Sequence, residues 1–359
     1  MVRVEKAYQL QFLRFLAFIL MFFWHANAWL PVWELQQNMA TSVVSFFFVL
    51  SGLTAGYAAW GKDNPFAVGS YFKGIGKRLA KVYPLYFVTT LYTVSYSAIP
   101  TLLAQGDWEA LRPHLTQLLK NLGFVQSWWD ENFFSYNGLG WFLSSLMFLF
   151  LFQEPMIRCF KAVLRRTRGS VVLAIILLGL LGATVLYNYA VRSLNLQFWA
   201  YIFPPARLGE YVGGIALGLL VKKHKATILK KTVLFTLLEV SALALWVATY
   251  FLPLDTFGAR LSNWLLPNFF GLGVFAVGGG LLSRLFAAKP LHWLGDISFE
   301  CYLLHSVVIT VYQRSALLPE PTPVTNVFSM IFCLLITILL ALTAHAAVGY
   351  RRLKKETVG

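Results

Sequence analysis

Charged residues are scarce in this chain of 359 residues, since Asp, Glu, Lys and Arg together make up 13% of it, whereas a soluble domain carries about 25%. Hydrophobic residues make up 58%, above the roughly 45–50% of a soluble domain. No polar stretch reaches the length that a separate globular domain needs. The sequence therefore excludes a soluble protein and predicts a single transmembrane domain over residues 1–359.

Acidic residues are the scarcer sign of charge: 15 Asp and Glu stand against 30 Lys and Arg, a formal net charge of +15. The basic residues form short separate clusters rather than one face. This pattern argues against a nucleic-acid partner and is typical of cytoplasmic loops in membrane proteins. Cysteine is scarce as well. Because Cys159, Cys301 and Cys333 lie in or beside apolar segments without metal-ligand spacing, we expect no bound metal and no disulfide framework.

The chain does contain a succession of apolar segments of bilayer-spanning length, about 20 residues each. We count about ten, so the predicted fold class is an all-α, polytopic integral membrane protein with the lipid bilayer as its surrounding partner. The predicted spans cover residues 9–29, 40–60, 83–104, 139–157, 169–190, 204–221, 232–252, 264–283, 297–313 and 325–348.

The distribution of Lys and Arg orients these spans. With the N-terminus in the cytoplasm, 23 of the 30 basic residues fall in inside segments and five fall outside, while Arg14 and Arg207 lie within spans. This asymmetry predicts that both termini are cytoplasmic. The first segment mimics a signal peptide, but Arg14 interrupts its apolar run, so we expect it to be retained. The longest outside loop, about 105–138, has leucines at helical spacing and predicts a helix lying on the outer interface.

The first predicted span carries two ionisable side chains, Arg14 and His25. Eleven residues at about 100° each return to within about 20° of the start, so both side chains share one helix face, about 16 Å apart along the axis. Ionisable groups are costly in lipid, so this face is expected to look into the bundle or a wet cavity. Each of them could still be a buried polar residue that only holds helices together.

Ordered motifs extend this pattern over nearly the whole chain. Together they resemble the membrane-bound acyltransferase family 3, bacterial ten-span proteins that O-acylate cell-surface glycans and related molecules. The resemblance implies a stand-alone, multi-pass enzyme of the inner (plasma) membrane. Its motifs are an Arg, ten residues and a His at 14–25, SFFFVLSGL (45–53), KRLAKVYPLY (77–86), VQSWW (125–129), NGLGWFLSSL (137–146), FPPARLGEYVGGIALG (203–218) and WLGDISFECYLLH (293–305).

Two departures from the family pattern stand out. The basic motif often reads Arg-x-x-Arg-x-x-Pro, whereas here it is Arg78-x-x-Lys81-x-x-Pro84. Lysine keeps the charge but loses the bidentate fork, so phosphate docking is expected to be looser. Many members also carry an acid shortly after the fourth-span tryptophan, here Trp141. No acid follows until Glu154, so no role for such an acid is carried over.

The chemistry of acyl transfer suggests roles for the motif residues. Coenzyme A carries several phosphates and is made in the cytoplasm, so Arg78 and Lys81, with Arg14 behind them, are the expected acyl-CoA site, although the loop cations alone fit plain positive-inside charge. His25 is the expected general base, because neutral imidazole is available near neutral pH. A covalent acyl-histidine relay remains an alternative.

A second group of polar residues is a candidate acceptor-binding lining. Arg207 and Glu210 are three apart and can pair on one face, which would equally suit a structural salt bridge. Ser298, Tyr302 and His305 form one stripe on the ninth span; His305 is a second acid/base candidate or a core histidine. Trp141 is included because the resemblance implies it. Glu239 stands isolated in the seventh span.

The expected activity is transfer of an acyl group, most simply acetyl, from cytoplasmic acyl-CoA to a hydroxyl of a carbohydrate or glycolipid at the outer side. No permanently bound cofactor is expected. The rival from another class is a transporter or flippase for a polar lipid or sugar, whose pathway the buried charges would line. A structural or sensory membrane protein without chemistry is the third interpretation.

Overall fold

The computed structural model describes residues 7–28, 30–31, 38–62, 65–105, 108–129, 131–191, 194–195, 197–228, 231–252, 262–315 and 320–358. All regular elements in these residues are helical, which confirms the all-α prediction. The α-helices are α1 (Gln9–Asn27), α2 (Asn38–Ala59), α3 (Val68–Gln105), α4 (Trp108–Leu122), α5 (Gly140–Leu164), α6 (Gly169–Ala190), α7 (Leu208–Ile228), α8 (Thr232–Tyr250), α9 (Leu265–Val277), α10 (Leu281–Phe286), α11 (Lys289–Asp296), α12 (Ser298–Gln313) and α13 (Pro323–Val358).

Within the described ranges, six helices are long and apolar enough to cross a membrane: α1, α2, α5, α6, α8 and α13. A seventh span results if α11 and α12, which are bent by 58° at their junction, count as one. The predicted segments 83–104, 204–221 and 264–283 also fall on helices. However, the first segment contains several Thr, Ser and Tyr residues, the helix that holds the second continues into Lys222, Lys223 and Lys225, and α9 is short. The chain is a multi-pass membrane protein by length and composition.

The predicted count of ten spans and the cytoplasmic position of both termini stay predictions. Residues 1–6 and the side chains from 348 onward, which carry the terminal charges used for orientation, lie outside the described residues, as do Arg192 and Arg260.

Among the described helices, α2 and α7 have the most extensive contact, and glycine makes this contact possible. A Cβ atom on Gly52 would stand 2.0 Å from the carbonyl oxygen of Tyr211, and one on Gly214 would stand 2.4 Å from that of Val49. Gly56 and Gly218 are equally crowded by the opposite backbone. Each helix therefore presents two glycines, four residues apart, to the other helix, the arrangement that lets membrane helices approach until their backbones touch.

The helix predicted in the longest outside loop is α4. Leu115 and Leu119 are exposed on one side of it, as expected for a helix lying on a bilayer interface. Its opposite side is polar and buried: the amides of Gln117 and Asn121 both donate to the hydroxyl of Ser135. In this way α4 holds the loop of residues 131–139 in place over the helix bundle.

Glu239 corrects an expectation, because it is not isolated. Its carboxylate, fully buried on α8, accepts hydrogen bonds from the backbone N–H groups of Gly280, Leu282 and Ser283 at 3.0–3.2 Å and from the Ser283 hydroxyl. These donors are the otherwise unpaired N–H groups at the start of α10. The sequence does not reveal this contact, because Glu239 and the N–H groups that bind it lie about 40 residues apart in the chain.

The glycine contact between α2 and α7 gives a direct test. Replacing Gly214 with Ala forces a Cβ into the backbone of α2, and such overpacking costs about 1–3 kcal/mol. We therefore expect a lower unfolding temperature in detergent micelles. The matched control is Gly179→Ala on α6, where a Cβ meets no atom within 4 Å, so its unfolding temperature is expected to be unchanged or slightly higher. Equal unfolding temperatures for the two variants would contradict the close contact.

Candidate active site

His25 lines a cavity of about 480 Å³ at the outer-predicted end of the bundle. His25 lies in the last turn of α1. The other walls of the cavity come from the start of α2, the loop before α5, the segment 197–202 and α12. The volume is within the range of small-molecule sites. The lining is largely aromatic and apolar with a few polar groups: Met21, Trp24, His25, Ala40, Thr41, Val44, Phe134, Gly138, Leu139, Trp141, Gln197, Tyr201, Tyr302 and Ser306.

A second histidine lies against the first. Nε2 of His305, on α12, is 3.2 Å from Nδ1 of His25, and the two ring centres are 5.0 Å apart. Nδ1 of His25 is also 2.9 Å from the carbonyl oxygen of Met21, and Nδ1 of His305 is 2.8 Å from that of Tyr302. His305 is fully buried and is not among the residues that line the cavity. The sequence predicted each histidine as a candidate but not their contact.

Tyr302 and Trp141, both predicted as acceptor-binding residues, do line the cavity with His25. The Tyr302 hydroxyl donates to the carbonyl oxygen of Leu139 at 3.0 Å, which ties α12 to the loop before α5. The Trp141 ring lies 4.9 Å from that of Tyr201. Aromatic side chains thus form two adjoining walls beside the imidazole.

A second cavity, of about 530 Å³, lies at the opposite end of the bundle and is strongly basic. Predicted Arg78 on α3 is part of its lining, and its guanidinium donates to Gln153 on α5 while lying 4.6 Å from the centre of the Phe150 ring. The acid among its described lining residues is Glu154. Four further cations complete the charge of this basic cavity: Lys62, Arg158, Lys161 and Arg165.

The remaining predicted donor-site residues lie elsewhere. Lys81 is exposed and lines neither of these cavities. Arg14 is half-buried, interacts electrostatically with Asp296 at the end of α11, and lines neither cavity. Phe18 and Phe22, which are fully buried, occupy α1 between Arg14 and His25. Among the described residues, these buried rings therefore interrupt the face that Arg14 and His25 share.

Ser298 also lies away from both cavities. Its hydroxyl donates to the carbonyl oxygen of Gly295 at 2.7 Å, at the bend between α11 and α12. It shares a helix face with Tyr302, as predicted, but it lies one turn before Tyr302 and does not line the cavity at His25. Its predicted role in substrate binding stays a prediction.

Arg207 and Glu210 form the predicted ion pair, with both side chains buried. Arg207 Nη1 lies 3.1–3.2 Å from both carboxylate oxygens, and its other two nitrogens donate to the carbonyl oxygen of Tyr201. The guanidinium also lies 4.8 Å from the centre of the Tyr201 ring. Because Tyr201 lines the cavity at His25, this pair supports the wall of the cavity from behind.

Comparison with known proteins decides the chemical class. A family described as "Acyltransferase domain" matches residues 7–344 of the chain. The chain belongs to this acyltransferase family. It is therefore an enzyme that transfers acyl groups, which favours the first of the three interpretations over a transporter or a structural protein.

One curated relative of this acyltransferase is "Acyltransferase MdmB" from Streptomyces mycarofaciens, 26% identical over 292 residues, which covers 77% of this chain and 70% of that protein. No solved structure matches the chain.

Several residues of the two cavities escaped sequence reasoning. Ser306 and Tyr201 face the cavity at His25, and Gln153 lies in the basic cavity. The available signal is position: Ser306 is one turn after Tyr302 on the same helix, and Tyr201 is two residues before the motif that begins at Phe203. The positive-inside pattern alone accounts for Arg158, Lys161 and Arg165, because nothing local in the sequence shows that α5 turns them towards Arg78.

The acyltransferase's buried ion pair gives a stability test. Replacing Glu210 with Gln leaves the Arg207 charge buried without its counterion, and breaking a buried pair costs about 3–5 kcal/mol. We expect a clear fall in unfolding temperature. The control is Glu154→Gln, which breaks a pair with Arg158 whose side chains are about a third exposed; exposed pairs contribute about 0–1 kcal/mol. Equal losses in the two variants would show that the Arg207 pair is not buried as described.

Proposed function

We propose that this enzyme transfers an acyl group, most simply acetyl, from cytoplasmic acyl-CoA to a hydroxyl group, with His25 as the general base. The observation that carries the proposal is the arrangement of two cavities at opposite ends of one bundle, one basic and one containing an imidazole. Acyl transfer across a membrane needs a place for an anionic donor on one side and a base for the hydroxyl on the other.

The basic cavity suits the phosphates of coenzyme A. Among the described residues that line it, five are cations and one is an acid, and guanidinium groups bind phosphate through short charge-assisted hydrogen bonds. The cavity lies where the positive-inside pattern puts the cytoplasm. Arg78 is the residue that links it to the sequence motif. Lys81, being exposed at the same end of α3, would meet the donor on its way in rather than in the cavity.

The distance between the cavities suits the rest of the donor. Trp141 lines one cavity and Gln153 the other, and twelve residues of helix α5 separate them, about 18 Å at 1.5 Å per residue. An extended pantetheine arm can span this distance and carry the thioester towards His25. A layer of buried side chains, including Phe48 and Tyr211, lies between the cavities, so the arm would have to thread between them.

The cavity at His25 suits an acceptor with both an apolar face and hydroxyl groups. Trp24, Trp141, Tyr201 and Tyr302 provide aromatic surfaces, and Thr41, Gln197 and Ser306 provide polar atoms. A sugar ring has this combination of C–H faces and equatorial hydroxyls, so a carbohydrate or glycolipid is the acceptor class that we propose. The enzyme would then act in the inner (plasma) membrane, with acceptor binding at the outer side.

The proposed reaction is a direct transfer. The imidazole of His25 takes the proton of the acceptor hydroxyl while the hydroxyl oxygen attacks the carbonyl carbon of the thioester. The carbon–sulfur bond then breaks, and the thiolate receives that proton, which gives an ester and free coenzyme A. General base catalysis of this kind contributes about 10²–10⁴-fold to a rate.

Replacement of His25 tests the base. We expect His25→Ala to lower transfer of radiolabelled acetyl from acetyl-CoA by about 10²–10⁴-fold, with normal membrane insertion and a normal elution profile on size exclusion. The assay uses purified protein in vesicles with a glycan acceptor. The control is His224→Ala, because His224 bonds to Ser170 away from both cavities. Transfer retained by His25→Ala would remove this residue as the base.

Replacement of Arg78 tests the donor cavity. We expect Arg78→Gln to raise the KM for acetyl-CoA by about 10- to 100-fold, the effect of losing one hydrogen bond to a charged group. The value of kcat should change much less, because Arg78 is far from His25. The control is Arg284→Gln, an exposed cation at the same predicted side of the membrane that lines neither cavity. An unchanged KM in Arg78→Gln would count against this donor site.

A further inference from the structure

His305 has a position that the proposed reaction does not use. It lies behind His25 as seen from the cavity, fully buried, with the rings of Phe18 and Phe22 about 6 Å away. Its Nδ1 contacts the Tyr302 carbonyl oxygen on its own helix, and its Nε2 contacts Nδ1 of His25 on α1. A histidine that only filled the core would need no more than the first of these contacts.

The partners determine which nitrogens carry protons. A carbonyl oxygen only accepts hydrogen bonds, so Nδ1 of His305 carries a proton and donates it to Tyr302, which leaves Nε2 of the neutral ring as an acceptor. Nδ1 of His25 faces two acceptors, the Met21 carbonyl oxygen at 2.9 Å and His305 Nε2 at 3.2 Å. It must therefore carry a proton as well. The lone pair of neutral His25 is then on Nε2, the nitrogen that the pair leaves unused.

We infer that His305 is a positioning residue that fixes His25 in the tautomer whose Nε2 accepts the proton of the acceptor hydroxyl. The inference rests on the proposed function, since it concerns how His25 acts as the base. The contact between Nδ1 of His25 and Nε2 of His305 joins α1 to α12 across 280 residues of sequence. It sets the orientation of the ring at the wall of the cavity.

The same contact stabilises the charge that forms during the reaction. When Nε2 of His25 takes the hydroxyl proton, the ring becomes an imidazolium and its Nδ1–H becomes a stronger donor. The neutral acceptor behind it, His305 Nε2, is already in place and fixed by the Tyr302 carbonyl. The proton on Nδ1 stays with His25 throughout, and the proton taken up at Nε2 leaves with the thiolate, so His305 gains and loses no proton.

Two variants of nearly equal size separate this role from simple packing. His305→Gln keeps a carbonyl oxygen that can accept from Nδ1 of His25, whereas His305→Met fills the same space with a weak acceptor. We expect the Met variant to lose about 10- to 100-fold in kcat, the effect of one hydrogen bond to a charged group. The Gln variant should keep most of the activity. The KM values for acetyl-CoA and acceptor should stay close to the parent values in both, since His305 lines neither cavity.

The comparison has defined outcomes. Higher kcat in the Gln variant than in the Met variant supports the inference, and equal kcat, whether both are high or both low, overturns it. In a His25→Ala background, exchanging Gln for Met at 305 should change nothing, because the two residues act as one unit. If His25→Ala itself retains transfer, the proposed function fails at its base; if it loses transfer while Gln and Met are equal, only the role of His305 fails.

A spectroscopic measurement decides the matter even if the Met variant does not fold. In protein labelled with ¹⁵N-histidine, the signals of His25 are identified by their loss in His25→Ala among the six histidines of the chain. We expect a neutral ring with a protonated Nδ1 and an unprotonated Nε2. A signal for unprotonated Nδ1 on His25 would overturn the inference.

Discussion

Backbone contact between α2 and α7 is the constraint on which the rest of the structure depends. Apolar side chains gain little by leaving lipid for protein, so membrane helices associate through close packing and through bonds between polar groups. The paired glycines of α2 and α7 allow close packing of the two helix backbones over several turns. Because the N-terminal end of α2 lines the cavity at His25 and its C-terminal end lines the basic cavity, the same contact fixes the positions of the two cavities relative to each other.

Two buried charged side chains, Arg207 and Glu239, follow a second rule, that a charge is held by partners where water is absent. Arg207 is enclosed by Glu210 and the Tyr201 carbonyl, and Glu239 closes the start of α10. Neither arrangement lines the cavity at His25 or the basic cavity, but the Arg207 pair holds Tyr201, which lines the cavity at His25. His25 differs from these two groups because its ring borders a cavity. Its Nδ1 is held by the Met21 carbonyl oxygen, as the buried charges are held by their partners. That is the condition a base needs.

The separation of Arg14 from the cavity at His25, among the described residues, has a simple geometric cause. Arg14 and His25 share a helix face, yet that face also carries Phe18, which is fully buried beside His305. Side chains on one helix face can contact different neighbouring helices at different heights along the axis. Arg14 meets Asp296 at the bend between α11 and α12, whereas His25, three turns further, meets His305 and the cavity.

The sequence by itself determined what depends on local composition: the helices, the apolar spans, the family through its ordered motifs, and pairs such as Arg207 and Glu210, which are three residues apart. Only the tertiary structure decided which faces meet. The contact of His25 with His305, the grouping of Arg78 with the cations of α5, and the partner of Glu239 all join distant parts of the chain. Helical periodicity fixes the direction of a side chain around the helix axis. The packing of one helix against another determines which residues that side chain contacts.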